Sequence, residues 1–293
     1  MTVMQQTGIP KPTADSQLLL YLAWGCPFCH RVLAALELTG MKRHVGITWV
    51  SNIKGASGWE ISPGDDPLYN ELTIKGIYQR LEPDVDHVPS VPMLVDMASR
   101  TLLSDSSAQM TRFFSQGMHG AYPVERDLCP SDLLEQIDNM NSWLHVNINR
   151  AVYQVGFATQ QADYEGKVTK LFHSLGELEA RLATRPYLLG NRLTESDLFL
   201  LATLVRFDSV YYPLFRCSVR RIADYTALSD YLVRLQSVDQ IAETFDHELI
   251  REHYFCSSMH VNGEVRNLNP SRLIPMDLYV YYQATIEESG ETS

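Results

Sequence analysis

The fold is decided by Leu18-Leu19-Leu20-Tyr21-Leu22-Ala23-Trp24-Gly25-Cys26-Pro27-Phe28-Cys29-His30. The apolar run Leu18 to Leu22 has the length of a buried strand. The stretch His30 to Thr39 reads as a helix with Gly40 as its C-cap. Pro27 fits the first helical turn, where its missing N–H is no loss. Cys26 therefore stands where several helix N–H groups have no backbone partner. The positive end of the helix dipole favours thiolate over thiol there. Thiolate is the nucleophile of disulfide exchange, so the turn is suited to sulfur chemistry.

Working outward, Ile47–Ser51, Met93–Asp96 and Thr101–Ser104 read as further strands. Ser106–Gln116 reads as a helix capped by Ser104 or Asp105. A strand that ends in a CxxC turn and passes straight into a helix is how thioredoxin-like folds present a reactive cysteine. In such folds a cis-proline precedes the third strand and faces the thiol, and the backbone beside it pairs with a peptide-like ligand. Val91-Pro92 stands at that position. The plain alternative is a trans proline at a strand edge. Between the second strand and this proline runs a long polar segment, Asn52 to His87, carrying Gly55, Gly58, Pro63, Gly64 and Pro67. Loops of that length are usually functional or lid-like.

From Ser131 the texture is helical. Ser131 can cap a helix running toward Val155. Gln160–Thr184 places Val168, Leu171, Phe172, Leu175, Leu178 and Leu182 at helical spacing. Thr194-Glu195-Ser196-Asp197 resembles a capping box, with Leu193 and Leu198 as its hydrophobic staple. Leu198–Tyr211 is apolar on most faces, the mark of a buried central helix. Tyr225–Leu235 and Asp239–His253 read as further helices, and the tail from Val261 to Pro275 as irregular. The expected architecture is an α/β thioredoxin-like N-terminal domain over 16–118, with a long insertion at 52–88, followed by an all-α C-terminal domain over 130–293.

Composition narrows the function. The net charge of −11 argues against a nucleic-acid partner and against an anionic membrane surface. No stretch approaches the roughly 18 apolar residues of a membrane span. Met1 to Ser16 is polar and lacks the pattern of a secretion signal. Five cysteines, odd in number and mostly scattered, do not make a secreted disulfide framework. A cytoplasmic location is expected.

The spelling Cys-x-x-Cys-His admits three chemistries. A redox or glutathione-linked thiol is one. Covalent haem attachment is the second, and it normally needs export. Half a zinc site is the third, but no second CxxC exists, and His87, His119, His253 and His260 form no metal spacing. No metal is expected. Cys129, Cys217 and Cys256 carry no motif.

Asp105-Ser106-Ser107 opens a helix. A serine hydroxyl with helix-start amides suits a carboxylate, and an acidic residue beside them suits an α-amino group. Together they would grip the γ-glutamyl end of glutathione, or else Asp105 and Ser106 merely cap the helix. Trp59, in the insertion, either closes over the thiol or anchors its loop to the core. Tyr153 and Tyr211 lie on helices of the second half. Each either donates a phenol proton to a substrate oxygen or is simply half-buried.

These residues resemble the glutathionyl-hydroquinone reductases, the Xi class of glutathione transferases. The resemblance is carried by Val152-Tyr153-Gln154-Val155-Gly156-Phe157-Ala158 and Arg206-Phe207-Asp208-Ser209-Val210-Tyr211, and by Thr194 to Asp197 and His253-Tyr254-Phe255. It covers roughly Leu18 to Pro275. It implies glutathione transferase architecture, usually as a homodimer, with glutathione as co-substrate and an aromatic small molecule as its partner. It implies that Cys26 attacks the sulfur of a glutathionyl-hydroquinone and forms a mixed disulfide, which a second glutathione releases. Carried over, Trp59, Val91 and Ser106 would hold glutathione, and Tyr153 and Tyr211 would contact the quinol oxygen. Two positions depart from the family pattern. Cys-Pro-Phe-Cys stands for Cys-Pro-Trp-Ala, so Cys29 is either a resolving thiol or an inert one. Asp105-Ser106-Ser107 stands for Glu-Ser-Ser, which lengthens the reach to an amino group. The rival readings are a dithiol oxidoreductase using Cys26 and Cys29, and a non-catalytic glutathione-binding redox sensor.

Overall fold

The computed structural model describes residues 8–86, 88–261, 264–267 and 269. Its first half builds one four-stranded sheet from β1 (Leu18–Leu22), β2 (Gly46–Trp49), β3 (Met93–Asp96) and β4 (Thr101–Ser104), in the order β2-β1-β3-β4. The β1–β2 pair is parallel, with Leu20 opposite Ile47; β3 pairs antiparallel to both β1 and β4. Every residue of β1 and β3 is buried, as expected of strands covered on both faces.

The helix α1 (Pro27–Thr39) makes the crossover from β1 to β2. Pro27 opens it, and Gly40 closes it with a left-handed φ of 70°, a conformation that costs glycine nothing. A second helix, α2 (Ile74–Leu81), lies inside the insertion, and α3 (Ser107–Ser115) follows β4. The element order and strand order are thioredoxin-like.

Two local expectations change in this half. The stretch 52–88 is not all loop, because α2 lies within it. Thr73 caps α2 by accepting from the Gly76 N–H, and Ile74, Ile77 and Tyr78 are buried. Eight residues broken by Gly76 are too short for periodicity to stand out. The cap of α3 is Ser106, whose Oγ accepts from Gln109 N at 3.4 Å, rather than Ser104 or Asp105. Ser104 instead accepts from Ser106 N.

Beyond a left-handed turn, α4 (Gly117–Gly120), the chain is helical to Cys256. It runs through α5 (Leu134–Leu144), α6 (Ala151–Gly156), α7 (Gln161–Leu182), α8 (Glu195–Arg206), α9 (Thr226–Gln236), α10 (Asp239–Ala242) and α11 (His247–Cys256). Ser131 does not cap the first of these. It opens a 3-10 turn that Leu133 hands on to α5, and a π-turn at His145–Asn149 joins α5 to α6. The tail, read as irregular from Val261, begins with a short antiparallel pair, Met259–Val261 with Glu264–Arg266. Most of the remainder lies outside the described residues.

All twelve residues of α8 are buried, and a true capping box starts it: Thr194 N donates to Asp197 Oδ2 at 2.8 Å. The helix packs on α1, α3 and α5 and so joins the two halves of the chain. At its start Glu195, 1% exposed, takes bonds from Arg112 of α3 and Asn141 of α5. Among the described residues, no helix is long and apolar enough to cross a membrane.

Candidate active site

Cys26 is the N-cap of α1, with extended backbone at φ −74° and ψ 121°. Its sulfur closes no capping hydrogen bond, yet the amides of Phe28 and Cys29 lie close enough to stabilise negative charge. Burial pushes the thiol pKa up. The Cys29 thiol, the two amides and the charge of Arg206 outweigh that and bring it from 9.0 down to about 7. Cys29 behaves oppositely. Burial, and then the adjacent Cys26, push its pKa well up, so it stays protonated and donates toward its neighbour. Its own sulfur accepts from Ala23 N at 3.4 Å. The helix start thus separates two chemically identical groups into one nucleophile and one proton donor.

On one side the sulfur meets the Val91 carbonyl at 3.6 Å, and the Val91–Pro92 peptide bond is cis, as the sequence suggested. Beside Val91 a cleft of about 440 Å³ opens between the two halves; Cys26 itself is buried behind it and is not one of its lining residues. Val91, Pro92, Asp105 and Ser106 all line it, joined by Phe28 and Arg31 of α1 and by His145 and Phe199 of the helical half. Arg31 is buried, bonded to Ser107 Oγ, and its guanidinium stacks 3.9 Å from the Phe199 ring. Burial lowers its pKa to about 9, and among the described residues no carboxylate pairs with it. A serine-lined cleft of this size, with Arg31 as its cation and Asp105 as its acid, is fit to take a short peptide carrying both carboxylate and amino groups.

On the other side lie aromatic groups. Trp59 is not a lining residue of the cleft. It is buried and stacks on His253 at 5.4 Å, with Lys54 Nζ 5.5 Å from its ring. His253 in turn packs on Gly25, where an added Cβ would fall 2.1 Å from the His253 Cβ, so only glycine fits immediately before Cys26. Tyr153 and Tyr211 do come together, through a residue the sequence reading did not single out. Tyr254 of α11 places its hydroxyl 2.6 Å from that of Tyr153 and 2.9 Å from that of Tyr211. Desolvation pushes all three phenols above their ordinary value, and the Cys26 charge adds to this for Tyr153 and Tyr211. The phenols therefore remain protonated. Three hydroxyl protons serve two mutual bonds, which leaves one proton to donate elsewhere. The available signal for Tyr254 was its place in His253-Tyr254-Phe255, but nothing local showed that α11 folds back against Cys26.

That fold-back rests on Asn52. Its Oδ1 accepts from Gly25 N at 3.0 Å, its Nδ2 donates to Leu249 O at 2.8 Å, and its carbonyl accepts from His253 Nδ1 at 2.7 Å. His30 is no metal ligand here. Its two ring nitrogens face Thr244 Oγ1 and Arg206 Nη1, each at 3.0 Å. A larger hollow of about 550 Å³ between α5 and α7, lined by Trp143, Arg181 and Arg185, is remote from the thiol and holds no nucleophile.

Comparison with known proteins settles the family. The description "Glutathione S-transferase, C-terminal domain" matches residues 161–234. The glutathionyl-hydroquinone reductase YqjG of Escherichia coli K12 is 35% identical over 267 residues, covering 87% of this chain and 81% of its own length. The chain belongs to the glutathionyl-hydroquinone reductases, the Xi class of glutathione transferases. The glutathionyl-hydroquinone reductase PcpF of Sphingobium chlorophenolicum is 32% identical over 261 residues, covering 88% of this chain and 81% of its own. Among solved structures, glutathione-bound YqjG superposes with a TM-score of 0.82 at 34% identity, covering 90% of this chain and 85% of the other. Glutathione transferase Xi 1 of Trametes versicolor gives 0.84 at 32% identity, covering 94% and 97%. The thioredoxin-like half and helical half of this chain are thus those of the Xi class.

Proposed function

We propose that this protein is a glutathione-dependent reductase that removes glutathione from glutathionyl-hydroquinones. The observation that carries the reading is one ionisable sulfur, Cys26, which meets the Val91 carbonyl at the edge of a cleft lined by Arg31, Asp105 and Ser106 and whose charge acts on the protonated phenols of Tyr153 and Tyr211. Glutathione would lie along the Val91–Pro92 backbone, with its γ-glutamyl end at Asp105 and Ser106. Arg31 supplies a cation for a carboxylate in the same cleft. The thiolate of Cys26 attacks the sulfur of the thioether and the carbon–sulfur bond breaks. Its electron pair stays on the ring carbon, which takes a proton, and Cys26 is left as a mixed disulfide with glutathione. The free phenol proton of the Tyr153–Tyr254–Tyr211 cluster is suited to hold a quinol oxygen and stabilise charge there. A second glutathione then attacks the mixed disulfide and restores Cys26 with release of glutathione disulfide. Trp59 acts as a buried wall behind the thiol rather than as a cleft residue.

With glutathionyl-benzohydroquinone and glutathione, the protein is expected to release benzohydroquinone and glutathione disulfide in equal amounts, and Cys26→Ala to release neither. Full turnover by Cys26→Ala would overturn the mechanism. Binding of glutathione without turnover by the native protein would instead mark a redox sensor.

The closeness of Cys29 to Cys26 favours a second reading, in which Cys29 displaces glutathione and closes an internal disulfide. Intact mass after incubation with glutathione disulfide separates the two. A gain of one glutathione follows from the monothiol route, and a loss of two hydrogens from the dithiol route.

A further inference from the structure

Arg206, the last residue of α8, is fully buried at 0% exposure. Its Nε donates to Gly25 O at 3.1 Å and its Nη2 to Trp24 O at 3.4 Å, the two carbonyls just before Cys26. Its Nη1 donates to Ala202 O at 2.8 Å and to His30 Nδ1 at 3.0 Å. All of these acceptors are neutral. Among the described residues no carboxylate lies within ion-pair distance of this guanidinium, although a buried charge is costly unless another charge answers it.

The tautomer of His30 follows from its partners. Thr244 has one hydroxyl proton and spends it on Ile241 O at 2.6 Å, so its oxygen must accept from His30 Nε2–H. His30 Nδ1 is then a bare lone pair aimed at Arg206. Burial and the adjacent Arg206 keep the ring neutral. The histidine of Cys-x-x-Cys-His thus holds the guanidinium on its last free side. We propose that Arg206 is the resident counter-charge of the Cys26 thiolate. It is a positioning residue fixed by the Thr244–His30 pair, through which the helical half of the chain sets the reactivity of the thiol in the other half.

The other groups around the sulfur do not replace it. Cys29 and neutral His30 lie on the same helix. In the helical half Tyr153 and Tyr211 feel the charge of Cys26, Tyr254 bonds to both of them and His253 packs on Gly25, and burial keeps all four neutral. Arg31 and Lys54 are the other cations whose charge reaches Cys26. Arg31 lines the cleft, where an incoming carboxylate would neutralise it. Lys54, held over Trp59, lies on the insertion and is half-buried. Arg206 alone of the three is fully buried and outside the cleft, where no incoming carboxylate reaches it.

This inference rests on Cys26 being the nucleophile of the proposed reaction, but its test uses neither quinol nor glutathione. The rate of Cys26 alkylation by iodoacetamide is followed against pH by intact mass, with the fold checked by circular dichroism. Arg206→Gln is expected to raise the midpoint by about one pH unit, lowering the rate at pH 7 about tenfold while the high-pH plateau stays the same. Arg206→Lys should recover most of the shift. An unchanged midpoint in folded Arg206→Gln would overturn the inference, whether or not the native protein turns over a glutathionyl-hydroquinone. Should that variant not fold, the native protein still decides. The Arg206 Nε–H resonance should move with pH at the alkylation midpoint and stay flat in Cys26→Ser. A resonance indifferent to pH in the native protein would count against the proposal equally.

Discussion

Cys26 and Cys29 show how three residues of separation can reverse a side chain's chemistry. Both are buried thiols on one helix start and both feel the charge of Arg206, but only Cys26 has the Phe28 and Cys29 amides and the Cys29 thiol donating toward it. Ionisation is therefore coupled to stability. The folded pKa of Cys26 is depressed from 9.0 to about 7, so its contribution is fully present above pH 9 and is lost as pH falls through 7. Each pKa unit corresponds to about 1.4 kcal/mol, so this contribution is on the order of 3 kcal/mol. Accordingly, the gap in Tm between the native protein and Cys26→Ser should be wider at pH 9.5 than at pH 6. Equal gaps at both pH values would mean that the thiolate is not stabilised by folding.

At the scale of elements, α8 is the part on which most else depends, because its start and its end both carry buried charge. Asp197 sits at 0% exposure and accepts from Thr194 N, Leu188 N at 3.0 Å and Tyr231 OH at 2.8 Å. Replacing Thr194 by Ala removes one cap and is expected to cost about 1 kcal/mol. Replacing Asp197 by Ala leaves four buried donors, the Thr194 hydroxyl among them, without that partner and is expected to cost roughly 3–5 kcal/mol, read from urea midpoints. Similar losses in the two variants would contradict this account of the helix start. The capping box was legible because Thr, Asp and the flanking leucines occur at fixed offsets. Helix α2 was not. Its cap, Thr73, is ordinary, its apolar residues are few, and the strand it packs on, β4, comes later in the chain.

For the whole molecule the question is how Tyr254, 228 positions after Cys26 by their residue numbers, comes to face it. Asn52 answers it by joining the Gly25 amide to Leu249 and His253 on α11. Backbone bonds beside it, Lys54 N to Ser257 Oγ at 2.8 Å and Ser258 N to Lys54 O at 2.9 Å, extend the strap. Asn52→Ala should therefore speed hydrogen exchange across 247–258, while α5 to α8 exchange as before. It should also lower kcat for the proposed reaction more than it lowers Tm. Unchanged exchange in α11 would show that other contacts hold it in place.

The strand–CxxC–helix unit, the proline before β3, the serine-rich start of α3 and the helical texture of the second half were all readable from the chain. Each is a local pattern in which adjacent residues dictate their own backbone and caps. The partner of Tyr153 and Tyr211, the stacking of Trp59 on His253, and the placing of His30 between Thr244 and Arg206 needed the folded chain. These contacts join residues far apart in sequence, and what they fix (burial, charge without a carboxylate, a spare phenol proton) exists only once distant helices exclude water from the same place.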